Sequence, residues 1–319
     1  SAVIVGLLVL VALSYRQTVF AYPAGGGSYT VSKDNLGVRF GLVAAASLLT
    51  DYILTVAVSI SGGVAAITSA YPSLIPHTVA LCSAAIFLLM LVNLRGVRES
   101  GIAFSVPTYV FICMMLILIG AGLYHTLADQ EVPALKPLKV DAVSASQHDG
   151  AIPVGFALTF LILRGFAEGC VAMTGTEAIS NGVGAFRAPG ARNAATTLGW
   201  MAAILAVFFL GTSYLAQHLQ VMPTAHETIL SQLGHRVFGG GALYFTLQYA
   251  TFAVLVLAAN TAFADFPRLA SILSHDGYMS WQVSARGDRL AFSNGIIALA
   301  LVAMLVVWSF SGDSSALIP

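Results

Sequence analysis

Long stretches of this chain carry no charged residue. Tyr52 to Leu94, Gly101 to Ala128, Asn193 to His226, Val237 to Ala264 and Leu290 to Gly312 are free of Asp, Glu, Lys and Arg. Each exceeds the roughly 20 apolar residues that cross about 30 Å of hydrocarbon. The first holds parts of two spans, divided at Tyr71-Pro-Ser-Leu-Ile-Pro76, because a proline pair cannot continue a helix. The pattern predicts eight membrane-spanning helices, over residues 2–19, 41–69, 77–93, 103–125, 152–183, 194–215, 242–261 and 292–310. Residues 126–150, with Asp129, Glu131, Asp141 and Asp149, read as a solvated extracellular loop. Residues 221–235 read as a short surface helix on the same side. Residues 264–291 alternate charge with Leu, Ile, Tyr and Trp, the pattern of a cytoplasmic loop or a helix lying on the inner face.

Composition agrees. Hydrophobic residues make up 58% of the 319 and charged residues 9%, against about 25% charge in soluble domains. The missing polarity makes lipid the solvent and the class all-α integral membrane. Fourteen basic residues balance fourteen acidic ones, so no basic field exists to hold a polyphosphate, and nucleic acid is not an expected partner. Cys82, Cys113 and Cys170 lie far apart in apolar runs and read as packing residues. The opening apolar stretch has neither an initiating Met nor a basic n-region, so it is read as a helix interior rather than a signal peptide. The chain is accordingly expected to be a fragment.

Loop charge sets the expected orientation. One set of loops carries Lys33, Arg39, Arg95, Arg98, Arg187, Arg192, Arg268, Arg286 and Arg289; the alternating set carries Lys136, Lys139 and Arg236. Basic residues concentrate in cytoplasmic loops, which puts both ends of the chain outside.

Charges inside predicted spans need a reason, since each costs at least about 2.5–3.5 kcal/mol on insertion scales. Arg16, near a span end, can snorkel to the headgroups. Arg164 and Glu168 are four apart and can pair with each other or gate an outer vestibule. Asp51 is followed by Thr55 and Ser59 at i+4 and i+8, placing a carboxylate and two hydroxyls on one helix face, with Tyr52 beside them. Hydroxyls in membrane helices often bond only their own i−4 carbonyls, but a carboxylate in line with both points to a hydrophilic pathway. The fifth span reads Thr174-Gly-Thr-Glu-Ala-Ile-Ser-Asn181 near its inner end and holds Gly169, Gly175 and Gly182. Each glycine costs about 1 kcal/mol against Ala in a helix. A Gly-interrupted span with Thr174 and Glu177 at depth points to a discontinuous helix whose freed carbonyls bind an ion or substrate.

These motifs carry a resemblance. Tyr15-Arg-Gln-Thr-Val-Phe-Ala-Tyr-Pro-Ala-Gly-Gly-Gly-Ser-Tyr29 and Val31-Ser-Lys-Asp-Asn-Leu-Gly37 resemble the APC superfamily of secondary transporters. Thr50-Asp-Tyr-Ile-Leu-Thr-Val-Ala-Val-Ser59, Thr174–Asn181 and Ala191-Arg-Asn-Ala-Ala195 look more specifically like KimA-type high-affinity potassium importers. The resemblance implies a LeuT-like fold of two inverted five-helix repeats with its site at the midplane. It implies that Asp51, Tyr52, Thr55 and Ser59 belong to the potassium site or pathway, with Thr174 and Glu177 contributed by the broken helix. The family's first helix adds an acidic residue and a Tyr, and a later helix another Tyr; neither segment is expected in this fragment. A cytoplasmic C-terminal domain, associated in the family with homodimer formation and cyclic-di-AMP control, is likewise expected to be missing.

The residue chemistry suits a monovalent cation in its own right. Potassium sheds water only against carbonyl, hydroxyl and carboxylate oxygens, and no His or Cys accompanies the set to suggest a transition metal. The reading is potassium–proton symport, with either Asp51 or Glu177 the candidate proton carrier and no cofactor beyond the transported ions. Its rival is an amino-acid permease of the same superfamily, which two acids near the site disfavour by repelling a substrate carboxylate. A membrane-embedded lipid enzyme is a third class. It lacks a catalytic cluster, because His77 and His125 each stand alone near a span end, and no enzyme activity is expected.

Overall fold

A computed structural model describes residues 2–23, 27–96, 101–128, 159, 176–222, 224, 227–284 and 293–312. Every regular element among them is helical: α1 (Ala2–Ala21), α2 (Ser28–Leu36), α3 (Val38–Ala70), α4 (Thr78–Leu94), α5 (Gly101–Leu127), α6 (Thr176–Asn181), α7 (Gly190–His218), α8 (Ile229–Phe238), α9 (Ala242–His275), α10 (Trp281–Ser284) and α11 (Ser293–Ser309), with 3₁₀ turns at Pro72–His77 and Val183–Ala185. Six of the described helical runs are long and apolar enough to cross a membrane: Val3–Ala21, Val38–Ala70, Pro72–Leu94, Phe104–Leu127, Gly190–His218 and Ala242–His275. α11 is a shorter apolar helix of 17 residues, about 25 Å at the standard rise. These match seven of the eight expected spans. The fifth, together with Arg164, Glu168, Gly169, Thr174, Gly175 and most of the 126–150 loop, lies outside the described residues apart from its end. The Pro72 turn falls where the proline pair placed the break between α3 and α4.

The chain divides into two compact units, residues 1–45 with 137–217 and residues 46–136 with 218–318. In the first, α1 packs on α6 and the start of α7 around buried Val19, Val183, Ala194 and Leu198, with Tyr15, Ile179 and Phe186 against them. α2 ends at Gly37, whose φ of +94° lies in the region that glycine enters without steric cost. The turn folds α2 back so closely that a Cβ on Gly41 would come within 2.9 Å of the Lys33 Cβ.

The second unit holds a continuous apolar core. Val56, Ala57, Ile60 and Val64 of α3 meet Cys82 and Ile86 of α4, Ala259, Ala262 and Phe263 of α9, and Leu299, Ala300 and Ala303 of α11. Small residues set the approach. Gly63 of α3 faces Phe252 and Leu255 of α9, and Gly295 of α11 lies against Pro267, where an added Cβ would meet the proline ring at 3.1 Å. Side-chain hydrogen bonds join the same helices: Asn93 to Asn260 at 2.8 Å, Trp308 to Ser83 at 2.9 Å, and Tyr71 to Tyr249 at 2.6 Å. α8 is amphipathic and starts at Thr228, whose hydroxyl accepts the Ser231 amide at 3.1 Å. It buries Ser231, Gln232, Leu233 and Gly234.

One element differs from its expected form. α9 does not end near Thr261 to be followed by a separate surface helix; it continues through Asp265, Pro267 and Arg268 to His275. The charges that marked the end of the span sit on one side, where Arg268 bonds Asp265 at 3.3 Å. Phe266, Leu269, Ala270 and Leu273 are buried. Apolar packing of these residues carries the helix past the charges.

Gly63→Leu is expected to destabilise the protein by about 1–3 kcal/mol, the usual cost of overpacking a tight contact. Gly120, with nothing within 4 Å of its added Cβ, should accept Leu without measurable loss. Thermal unfolding of the two variants in detergent checks the contrast.

Candidate functional site

α3 carries the first set of oxygen donors. Asp51, Thr55 and Ser59 follow one another at helical spacing on one continuous helix, as the sequence predicts. Their exposure falls along that face: Asp51 is exposed, Thr55 half-buried and Ser59 buried at 9%. Tyr52, rotated off this line, packs against the apolar core. A row of oxygens therefore leads from the surface of α3 into its packed interior.

The hydroxyls on this row differ from their neighbours. Thr50 donates to the Ala46 carbonyl at 3.0 Å and Ser69 to that of Ala65 at 2.7 Å. Ser83, Thr108, Thr212 and Thr251 make the same bond one turn back. Among the described residues Thr55 and Ser59 make no such bond. Back-bonding to the helix, the ordinary explanation for a Ser or Thr in an apolar helix, does not account for them.

Glu177 lies in the first turn of α6, the described end of the fifth span. The helix stops at Asn181; Gly182 follows, and the chain continues as the Val183–Ala185 turn. The helix therefore ends one residue before Gly182, at the expected end of the span; Gly169 and Gly175, which with Gly182 are expected to interrupt it, lie outside the described residues. Glu177 is half-buried, and its Oε1 accepts the backbone N–H of Ser28 at 3.1 Å. Ser28 in turn shares its hydroxyl with Tyr15 Oη at 3.3 Å. Thr174, assigned with Glu177 to the broken helix, is outside the described residues. Glu177 and the Asp51 row fall in different units, and each stands on its own surroundings. Arg16 is exposed near the end of α1, as snorkelling requires, and His77 is exposed at the Pro72 turn.

Charge-based reading of the sequence missed a polar cluster in the second unit. Ser231 is fully buried; its hydroxyl donates to Glu227 Oε1 at 2.8 Å and shares a hydrogen bond with Tyr244 Oη, also at 2.8 Å. His235 Nδ1 lies 3.5 Å from Glu227, and its ring sits 4.0 Å from that of Tyr244. Tyr244 also reaches the Ser69 carbonyl at 3.4 Å, and the Thr228 amide bonds the Ser69 hydroxyl at 3.2 Å. The capping pattern at Thr228 was the available signal. The tie to Ser69, 159 residues away from Thr228, had none.

Comparison with known proteins bears on these assignments. A family model described as "Amino acid permease" matches residues 1–318. The "Potassium transporter KimA" of Bacillus subtilis (strain 168) is 45% identical over 313 residues, covering 98% of this chain and 50% of that protein. The chain thus spans about half the length of the curated relative it matches. The long apolar helices and the family match both fit the LeuT-like, inverted-repeat transporter fold expected from the sequence. The chain is a multi-pass membrane protein that belongs to the amino acid permease family.

Proposed function

We propose that the protein imports potassium by secondary active transport, coupled to a proton, through alternating access. The observation that carries this is the Asp51, Thr55 and Ser59 row: a carboxylate and two hydroxyls in line on α3, with neither hydroxyl turned back to its own helix. A potassium ion leaves water only for a comparable set of oxygens, and a carboxylate held at bilayer depth is rare unless it serves a pathway or a partner. Identity of 45% to a potassium transporter supports the cation over other cargo. Tyr52 adjoins the row, and Thr174 and Glu177 are the further candidate donors that the sequence offers in the fifth span.

A carboxylate within a membrane span can carry the coupled proton, because its neutral form is cheaper to hold away from water than its charged form. Asp51 and Glu177 are the two candidates, and the environments differ. Glu177 has an N–H donor on one oxygen, while Asp51 is exposed on its helix. The orientation that goes with this reading puts Lys33, Arg39, Arg95, Arg187, Arg192 and Arg268 in the cytoplasm, by the positive-inside rule.

The second reading is amino-acid uptake, favoured by the description of the matched family. Uptake of radioactive rubidium into potassium-starved cells separates the two. Potassium is expected to compete and a mixture of amino acids to have no effect; the reverse pattern would overturn the proposal.

Removing a charged ligand costs about 1.5–3 kcal/mol, so Asp51→Asn should raise the half-saturating rubidium concentration by about ten- to hundredfold. Thr55→Val and Ser59→Ala remove neutral oxygens worth about 0.5–1.5 kcal/mol each and should raise it by about two- to tenfold. Thr50→Val, which only releases a back-bonded hydroxyl, should leave it unchanged. Proton coupling is checked by dissipating the pH gradient during uptake. In the variant that removes the true carrier, residual uptake should no longer respond to that gradient.

A further inference from the structure

α2 is a nine-residue helix, and its first N–H groups have no partner within the helix. The residue ahead of it, Gly27, has no side chain to cap them. The first bond back along the chain is from Val31 N–H to the Gly27 carbonyl at 3.1 Å. The Ser28 amide instead donates across 149 residues of sequence to Glu177 Oε1. A carboxylate at a helix N-terminus is favoured by the helix dipole as well as by the bond itself. Tyr15 of α1 holds the Ser28 hydroxyl, and Tyr15 and Ile179 both pack on the core of Val19, Val183, Ala194 and Leu198. α6, the start of α2 and α1 are therefore tied together at one carboxylate.

We infer that Ser28 is a positioning residue for Glu177: its backbone N–H aims the carboxylate, and the first turn of α2 responds to what that carboxylate binds. The inference rests on the ion-site reading of Glu177. Hydrogen bonds to a charged acceptor are roughly twice as strong as those to a neutral one. A cation drawing on the charge of Glu177 weakens the hold on Ser28 and loosens the N-terminal turn of α2. Occupancy at Glu177 is thereby transmitted to α2.

The backbone permits a selective test. Ser28 occupies the first helical position, where proline fits and its missing N–H is not needed by the helix. Gly27, at φ −66° and ψ 170°, has the extended conformation required before a proline. Ser28→Pro removes the donor to Glu177, and Ser28→Ala removes only the hydroxyl. A bond that the cation weakens must in turn oppose cation binding, so in the intact protein Ser28→Pro is expected to lower the half-saturating rubidium concentration about tenfold, with Ser28→Ala within about twofold of wild type. Hydrogen exchange gives a readout independent of cargo. Amides at the start of α2 should exchange faster in Glu177→Ala than in wild type, and faster in wild type with potassium than with choline. Glu177→Gln should abolish that dependence on potassium. Equal half-saturation in the two Ser28 variants overturns the inference, as does exchange in α2 that is indifferent to Glu177→Ala. If wild type takes up no rubidium, the potassium reading fails, and the exchange of the Glu177→Ala variant alone decides whether the positioning link stands.

Discussion

Lipid offers no hydrogen bonds, and the rest of this structure follows from that. Backbone N–H and C=O groups at bilayer depth must be satisfied within the segment, so helices are the only open-ended solution. Once the backbone bonds itself, every polar side chain left in the span needs a separate account. Most are accounted for locally: Thr50, Ser69, Ser83 and Thr108 bond carbonyls of their own helices. Others join helices, as Asn93 does with Asn260 and Trp308 with Ser83. Among the described residues Asp51, Thr55 and Ser59 have neither account, and the proposed pathway rests on their alignment.

Helices that gain little from hydrophobic exclusion against lipid associate through close packing. The second unit is built that way. Gly63 lets α3 approach Phe252 and Leu255, and Gly295 lets α11 rest on Pro267. Ala57, Ala259, Ala262, Ala300 and Ala303 fill the shared core with small side chains. Such packing fixes the rotation of α3 about its axis, and that rotation decides which residues of the oxygen row are covered. Ser59 is covered and Asp51 is not.

Much of this was legible in residue order. Charge-free lengths gave the spans because an apolar run of span length has few alternatives in any solvent. The i, i+4, i+8 placement of Asp51, Thr55 and Ser59 needed only helical periodicity, and Gly182 marked the end of α6 because glycine is a poor helix interior. The inference failed where a local rule met a tertiary exception. Asp265 and Arg268 looked like the end of a span, yet buried Phe266, Leu269 and Leu273 carry α9 on to His275. Glu227, read as part of a polar surface segment, bonds a fully buried Ser231.

Sequence by itself determined that this chain lives in a membrane, where its helices lie and which of its carboxylates are expensive to keep there. Those properties depend on composition and on periodicity along one helix, and neither needs a neighbour. Only the tertiary structure decided what each carboxylate touches. Glu177 meets the Ser28 amide and Glu227 meets Ser231 and His235. The first of these contacts joins groups 149 residues apart in the chain and exists only because packing brings their segments together; the second is local to the start of α8, and packing decides only that it is covered.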